Sequence, residues 1–382
     1  MKILMVLDHE FPTDVRVENE ATALITAGHE VHIACYTQKE KPANEVFKSI
    51  HIHRVEISGL MYKLSAAALT LPFYFRFWFK FLDGLFKKHG FQAIHIHDLP
   101  LSKVGSRISK KFGVQLTIDL HENWPALLRV STHTSTLIGR MVSPNFLWTN
   151  YERRILKRAN AIIVVVDEAK ERISALGIDR NKIFVVSNTL NMSEFDVAAE
   201  KTDSNHFTLY YAGGINFHRG LQTVIEAVAI AKDEVTNLRF RIAGFGSYRH
   251  NLEELVNKLG LTDRIEFLGY LTLKAVARNL SQADVALIPH LKTPHTDSTI
   301  PHKLFQYMYI NKPIIASNCA PIERIVNETN SGIIFNSGDA DDLAKKIVQL
   351  ATKSVIIPNA RHWVKEKYCW DNDSKVLVKI YS

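Results

Sequence analysis

The chain has 382 residues, too many for one ordinary hydrophobic core, so two domains are expected. Its 46% hydrophobic and 23% charged residues describe a folded globular protein, and the formal net charge of +8 suggests an anionic partner. No nucleic acid is expected: there is no long block of like charges, no zinc-finger spacing and no basic helix with a repeating contact pattern. Cys35, Cys319 and Cys369 are odd in number and widely spaced, which gives no disulfide framework and fits a reducing, cytoplasmic setting.

Short apolar runs alternate with helical patterns along the whole chain, the signature of parallel α/β architecture. Met1–Asp8 holds an apolar run too short for a signal peptide and reads as a buried first strand over Ile3–Leu7. Further strands are predicted over Val31–Cys35, Ile50–Val55, Ala93–His97, Gln115–Asp119, Ala161–Val166 and Ile183–Val186. Helices are predicted over Val15–Ala27 and Leu101–Lys111, ended by Gly28 and Gly113. Composition turns polar and loses its period over 191–206, which reads as a linker. The alternation then restarts, with strands at Thr208–Tyr211, Arg239–Ala243, Ile265–Leu268, Val285–Pro289 and Ile314–Ala316. Helices are predicted at Leu221–Ala231, Asn251–Lys258, His302–Ile310 and Asp341–Leu350, and a last amphipathic helix follows Tyr368-Cys-Trp370.

Leu209-Tyr-Tyr-Ala-Gly-Gly-Ile-Asn-Phe-His-Arg-Gly-Leu221 is a strand, a glycine pair, a cation and a helix. Such an order can hold phosphate, because glycine lets backbone N–H groups approach an anion and Arg219 can pair with its oxygens. An ordinary strand-to-helix turn with a solvated arginine is the plainer reading of the same residues. Ile242-Ala-Gly-Phe-Gly246 is a second glycine turn at a strand end. His295-Thr-Asp-Ser-Thr-Ile-Pro-His-Lys-Leu-Phe-Gln-Tyr-Met308 combines a polar loop, offering the N–H groups of Ser298–Ile300, with a helix carrying Lys303 and Gln306.

In the first half, His9-Glu-Phe-Pro-Thr-Asp-Val-Arg-Val-Glu18 leads into a helix that Asp14 can cap. Asp119-Leu-His-Glu-Asn-Trp-Pro125 ends a strand. His51 with His53, and His95 with His97, each put two imidazoles on one strand face. They could take a metal if adjacent, but no cysteine or carboxylate cluster accompanies them. Structural roles are expected for three, with His97 and Asp98 nearest a site. Along Tyr74–Lys88, Arg76, Lys80, Asp83 and Lys87 form one polar stripe. A helix packed on a sheet explains it; an interfacial helix on an anionic membrane is the alternative, and would place the protein peripherally on the inner face of the cell membrane.

Together these motifs resemble the GT-B glycosyltransferases of family 4, over nearly the whole chain. The resemblance implies an α/β GT-B fold, two Rossmann-like domains facing across a cleft. Residues 1–190 would form an acceptor domain, 191–206 a linker, 207–358 a nucleotide-sugar domain, and 359–382 a closing segment that crosses back. It implies a retaining enzyme that moves a sugar from a nucleotide-diphosphate donor to a glycan or lipid-linked glycan, in cell-surface polysaccharide synthesis. No metal and no cofactor beyond the donor substrate are expected. By resemblance His121, Arg219 and Lys303 are catalytic. Gly213, Gly214, Asn216, Gly244, Phe245, Gly246, Asp297, Ser298, Thr299, Ile300 and Gln306 bind the donor, and Asp14, Arg16, His97 and Asp98 face the acceptor.

The chain departs from the family pattern in three places. Gly214 stands where many members have a second arginine, a charge that Lys303 can replace. The family's two glutamates, seven residues apart, are here Ser298 and Gln306, with Asp297 adjacent to the first. Two rival readings share the architecture: a nucleotide-sugar epimerase, and a non-catalytic subunit that binds nucleotide or glycan.

Overall fold

The computed structural model describes residues 1–130, 139, 143–192, 205–353 and 357–382. Most of the expected linker, 193–204, lies outside the described residues. The chain divides into two compact units, Met1–Asn188 with Asp371–Ser382, and Thr189–Trp370.

Among the described residues the first unit carries an eight-stranded sheet. Its strands are β1 (Lys2–Val6), β2 (Glu30–Thr37), β3 (Asn44–Phe47), β4 (Ile50–Glu56), β5 (Ala93–His97), β6 (Gln115–Leu120), β7 (Ala161–Val164) and β8 (Ile183–Val185). They lie in the order β3-β4-β2-β1-β5-β6-β7-β8, parallel except where β3 pairs antiparallel with β4. Central strands read as unbroken apolar runs because helices cover both faces; Ile3, Leu4, Met5 and Val6 are fully buried. Helix Val15–Thr26 starts where Asp14 accepts from the N–H groups of Arg16 and Val17. Helix Phe73–His89 buries Tyr74, Phe75, Trp78, Leu82 and Phe86, and leaves Arg76, Lys80 and Lys87 exposed. Asp83 pairs with Lys87 at 2.8 Å and with Lys111. That is the geometry of a helix packed on a sheet with one wet stripe. Among the described residues, no helix is long and apolar enough to cross a membrane.

The second unit holds six strands, all parallel: β9 (Phe207–Ala212), β10 (Leu238–Ala243), β11 (Ile265–Gly269), β12 (Val285–Ile288), β13 (Ile314–Ser317) and β14 (Gly332–Phe335). Their order is β11-β10-β9-β12-β13-β14. Leu209, Ile225, Phe240, Leu287, Ile315 and Phe335 share one core, each worth about 1.5–3 kcal/mol on full burial. In both sheets the strand order reverses next to the first strand, at β1/β5 and at β9/β12. Ligands of open parallel sheets lie beyond the carboxyl ends of the strands at such a reversal.

The expected closing segment 359–382 divides at Trp370. Helix Arg361–Glu366 stays with the second unit, and only Asp371–Ser382 joins the first. There Tyr381 Oη lies 2.8 Å from His95 Nδ1, and Gln115 Nε2 donates to Ile380 O at 3.0 Å.

Candidate active site

Two glycine turns lie side by side beyond β9 and β10. Gly213 N–H donates to Ala243 O at 2.9 Å, and Ile215 N–H to Phe245 O at 2.9 Å. These bonds correct the picture of a phosphate cradle made from the whole turn. Two of its N–H groups are already used, and Gly214 N–H donates to nothing among the described residues. Gly213 has φ +148° and Gly244 φ +135°, and a Cβ on Gly244 would lie 1.8 Å from Gly213 O. The turns therefore approach more closely than any side chain permits.

The charge at this place comes from side chains. Lys303 Nζ sits so close to the turn that a Cβ on Gly213 would meet it at 2.5 Å. The ammonium lies 3.8 Å from the centroid of the Tyr211 ring. Burial, and then Arg219, hold Lys303 well below the usual lysine range. Arg219 Nη1 donates to His290 Nε2 at 3.1 Å, and its Nε is buried with no partner among the described residues. Burial, then Arg219 and Lys303, keep His290 well below the usual histidine range, so its lone pair is free to accept from the guanidinium. Neither Arg219 nor Lys303 has a carboxylate partner among the described residues. Arg219 and Lys303, beside a glycine turn at the strand-order reversal and with no carboxylate partner among the described residues, form a site for a polyanion, whose charge would favour the protonated lysine that burial opposes.

Beside them a cavity of about 470 Å³ is lined by Gly213, Gly214, Asn216, Gly244, Phe245 and Tyr270. The Phe245 and Tyr270 rings lie 6.2 Å apart and are 67% and 76% exposed, a platform for a flat ligand. Tyr270 and His290 follow strand ends outside any motif, and sequence reasoning missed both. A cavity of about 500 Å³ lined by Arg239, Arg241 and Arg264 lies at the amino ends of the strands. It sits away from the reversal, so the site is assigned to the first cavity.

The loop before helix Lys303–Tyr309 is arranged differently from expectation. Asp297 Oδ1 accepts from Lys292 Nζ at 3.1 Å and from Ala320 N–H at 2.7 Å, so it serves the start of helix Ala320–Thr329. Ser298 is buried and its hydroxyl donates to Pro294 O at 2.9 Å. The Ser298 hydroxyl is thus engaged within the protein, as is one carboxylate oxygen of Asp297. Ser298 N–H is bound to His295 O at 3.0 Å, whereas those of Thr299 and Ile300 donate to nothing among the described residues. Gln306 is half-buried, and its amide makes no hydrogen bond among the described residues.

Beyond β5 and β6 the first unit gathers a second charged cluster. His121 Nε2 lies 2.8 Å from Asp119 Oδ2, and Asp98 Oδ1 accepts from His121 N–H at 3.1 Å. Burial opposes a charge on His121, but Asp119 and then Asp98 outweigh it and push the imidazole up to about 10. Burial likewise opposes the charge of Asp119, yet Arg16 and His121 hold it well below the usual carboxylate range. Nearby, Asp8 is hydrogen-bonded to Tyr74 and pushed up to about 7, chiefly by burial. Burial also raises Asp98, which adopts φ +62°. Asp119 thus holds the His121 ring and favours its protonated form, while the neighbouring Asp98 carboxyl ionises reluctantly.

Two residues expected to face the acceptor turn inward. Arg16 is buried and bridges Glu20 at 3.0 Å, Asp119 at 3.2 Å and Val186 O at 3.1 Å. Helical spacing puts Glu20 one turn away, so the guanidinium is consumed by the core. His97 is 1% exposed, behind His121, with Nδ1 3.2 Å from His121 Nε2. Asp14 caps its helix and pairs with His9 at 3.3 Å. Glu20, His95, His97 and Asp119 form a compact set of ligand-type groups, and Arg16 already supplies its positive charge.

Comparison with known proteins bears on the family and the fold. The family model for glycosyl transferases group 1 matches residues 192–369, and that for glycosyltransferase family 4 matches 14–194. WcaL of Salmonella typhimurium, a provisional colanic acid biosynthesis glycosyltransferase, is 25% identical and covers 96% of each chain. A sucrose-phosphate synthase from Thermosynechococcus elongatus superposes with a TM-score of 0.80 at 18% identity, over 100% of this chain and 98% of its own. HepE of Anabaena, solved in complex with UDP-glucose, superposes with a TM-score of 0.67 at 15% identity, over 100% and 99%. The fold is GT-B, and the chain belongs to the group 1, family 4 glycosyltransferases.

Proposed function

We propose that the protein transfers a sugar from a nucleotide-diphosphate donor to a hydroxyl of a glycan or lipid-linked glycan, with retention of configuration. The observation that carries this reading is the pair of cations, Arg219 and Lys303, set without counter-charge against the Gly213–Gly214 turn. The binding of UDP-glucose by HepE and the polysaccharide assignment of WcaL support the donor class and the product class.

The base would lie against Phe245 and Tyr270, the ribose against the Gln306 amide, and the diphosphate between Arg219, Lys303 and Gly214 N–H. The bond from the anomeric carbon to phosphate oxygen breaks while the acceptor oxygen bonds to the same face. The departing phosphate oxygen takes the acceptor proton, and Arg219 and Lys303 stabilise the charge that grows on it. No cofactor apart from the donor is invoked. A second reading, a binding subunit without turnover, draws on Ser298, whose hydroxyl is spent on Pro294 O.

The test is incubation with a panel of α-linked nucleotide sugars and lipid-linked glycan acceptors, with the product's anomeric coupling read by NMR. An α-linked product supports the proposal. A β-linked product overturns retention, and nucleotide binding with no product across the panel favours the binding subunit.

A further inference from the structure

Side chains two residues apart share a face of a strand. Glu30 and His32 of β2 therefore stand beside His51 and His53 of β4, near the amino ends of those strands and away from Asp98 and His121. His32 and His51 are paired in the parallel register, and their rings stack 4.6 Å apart. His89, the last residue of its helix, adds a fourth imidazole 4.9 Å from His53 and 5.2 Å from His32. The two-residue spacing of His51 and His53 was legible in the sequence; the partners that make a cluster of it were not.

A hydrogen-bond relay orders this cluster. Asn44 Oδ1 lies 2.8 Å from His53 Nδ1, and a carbonyl oxygen can only accept, so Nδ1 carries the hydrogen. His53 Nε2 then offers a lone pair to His32 Nδ1, 2.8 Å away, which must be the donor. His32 Nε2 is left presenting its own lone pair to Glu30 Oε1 at 2.9 Å. Two acceptors at that separation repel unless a proton or a metal ion lies between them, and the neutral His32 that the relay orients leaves that place to a metal ion. Lys2 Nζ reaches the same Glu30 oxygen at 3.0 Å. One donor atom from each of Glu30, His32 and His51 lies within 4.8 Å of the others.

We propose that Glu30, His32 and His51 hold a divalent transition-metal ion of the zinc class, with His53 and Asn44 as the outer relay that orients His32. Zinc takes imidazole nitrogen and carboxylate oxygen at about 2.0–2.2 Å, so a small inward rotation of the three side chains encloses it, with solvent as the fourth ligand. A ligating histidine whose other ring nitrogen is hydrogen-bonded is the usual arrangement around such an ion. The site is separate from the donor site and plays no part in transfer.

The test uses the full chain, stripped with EDTA, desalted and titrated with zinc chloride alone by calorimetry, with metal content read by mass spectrometry. One zinc per chain is expected. Glu30→Gln and His51→Ala should each weaken it by about tenfold or more, and Asn44→Ala by about tenfold through the relay. Circular dichroism and the unfolding midpoint without zinc should match the parent, because these changes lie outside the hydrophobic core. Zinc taken up with unchanged affinity by both ligand variants would place the ion elsewhere and overturn the proposal. No uptake by the parent would also overturn it, and would mean that His32 Nε2 carries a hydrogen and donates to Glu30.

Discussion

Exchange of Gly213 for alanine separates the donor site from a mere turn. The added Cβ would stand 2.5 Å from Lys303 Nζ and 3.1 Å from Tyr211 Oη, at φ +148°. Non-bonded atoms settle at about 3.5–4.0 Å, so the ammonium must withdraw by about 1 Å. At an effective dielectric of about 20, moving a cation from about 4 to 5 Å from a phosphate charge costs about 0.8 kcal/mol. Loss of a charged hydrogen bond adds about 1.5–3 kcal/mol. Diphosphate binding should therefore weaken by about 50-fold to several hundredfold, and backbone strain should lower stability by about 1–3 kcal/mol. Gly214→Ala is the control, since its Cβ would meet only Asn216 Nδ2, at 3.5 Å. Calorimetric titration with a nucleoside diphosphate reads both variants, with the parent nucleoside as reference. If Gly213→Ala and Gly214→Ala bind the diphosphate equally well, Lys303 does not hold it and the reasoning fails.

Three further outcomes are expected. Arg219→Ala should lower the transfer rate by about 10²–10³-fold, the usual loss of a donor aimed at growing charge; a rate within a few-fold of the parent would remove Arg219 from catalysis. Tyr270→Ala should weaken the nucleoside diphosphate by about 0.5–1.5 kcal/mol, and the diphosphate moiety alone not at all. For His121 the folded pKa is about 10 against an ordinary 6.5, so its stabilisation is fully present below 6.5 and is lost as pH rises to 10. The parent's unfolding midpoint should therefore fall between pH 7 and 10 more steeply than that of His121→Gln, and parallel slopes would refute the paired imidazolium.

Most of the parallel strands were legible because buried β-strands are short, apolar and regularly spaced; the half-buried edge strand β14 (Gly332–Phe335) was not predicted. Strand β3 escaped: Asn44–Phe47 is an exposed antiparallel edge, and Val46 is 63% exposed, so no apolar run marks it. Helix Asp167–Ala175 escaped too, since it buries only Ala169 and Ile173. In the site, Gly213 and Arg219 share one strand-to-helix turn and were legible from it, whereas Lys303 was reached through the family resemblance and meets that turn only because β12 lies beside β9. Sequence could not show that Arg16 meets Asp119 across the sheet, or that Asp297 is committed to the next helix. Such pairings join residues distant in the chain and follow from strand order. Tyr270 and His290 were missed for the same reason, because each gains meaning only from its place at a strand's carboxyl end.

The most direct test of the account is thermal unfolding of the purified protein with UDP, GDP, ADP and CMP in turn, in EDTA. A ligand at one hundred times its dissociation constant stabilises by about 2.7 kcal/mol, enough to move the midpoint visibly. The account predicts a clear rise with one nucleoside diphosphate, abolished by Arg219→Ala. No rise with any of the four, or a rise that Arg219→Ala leaves intact, would contradict it.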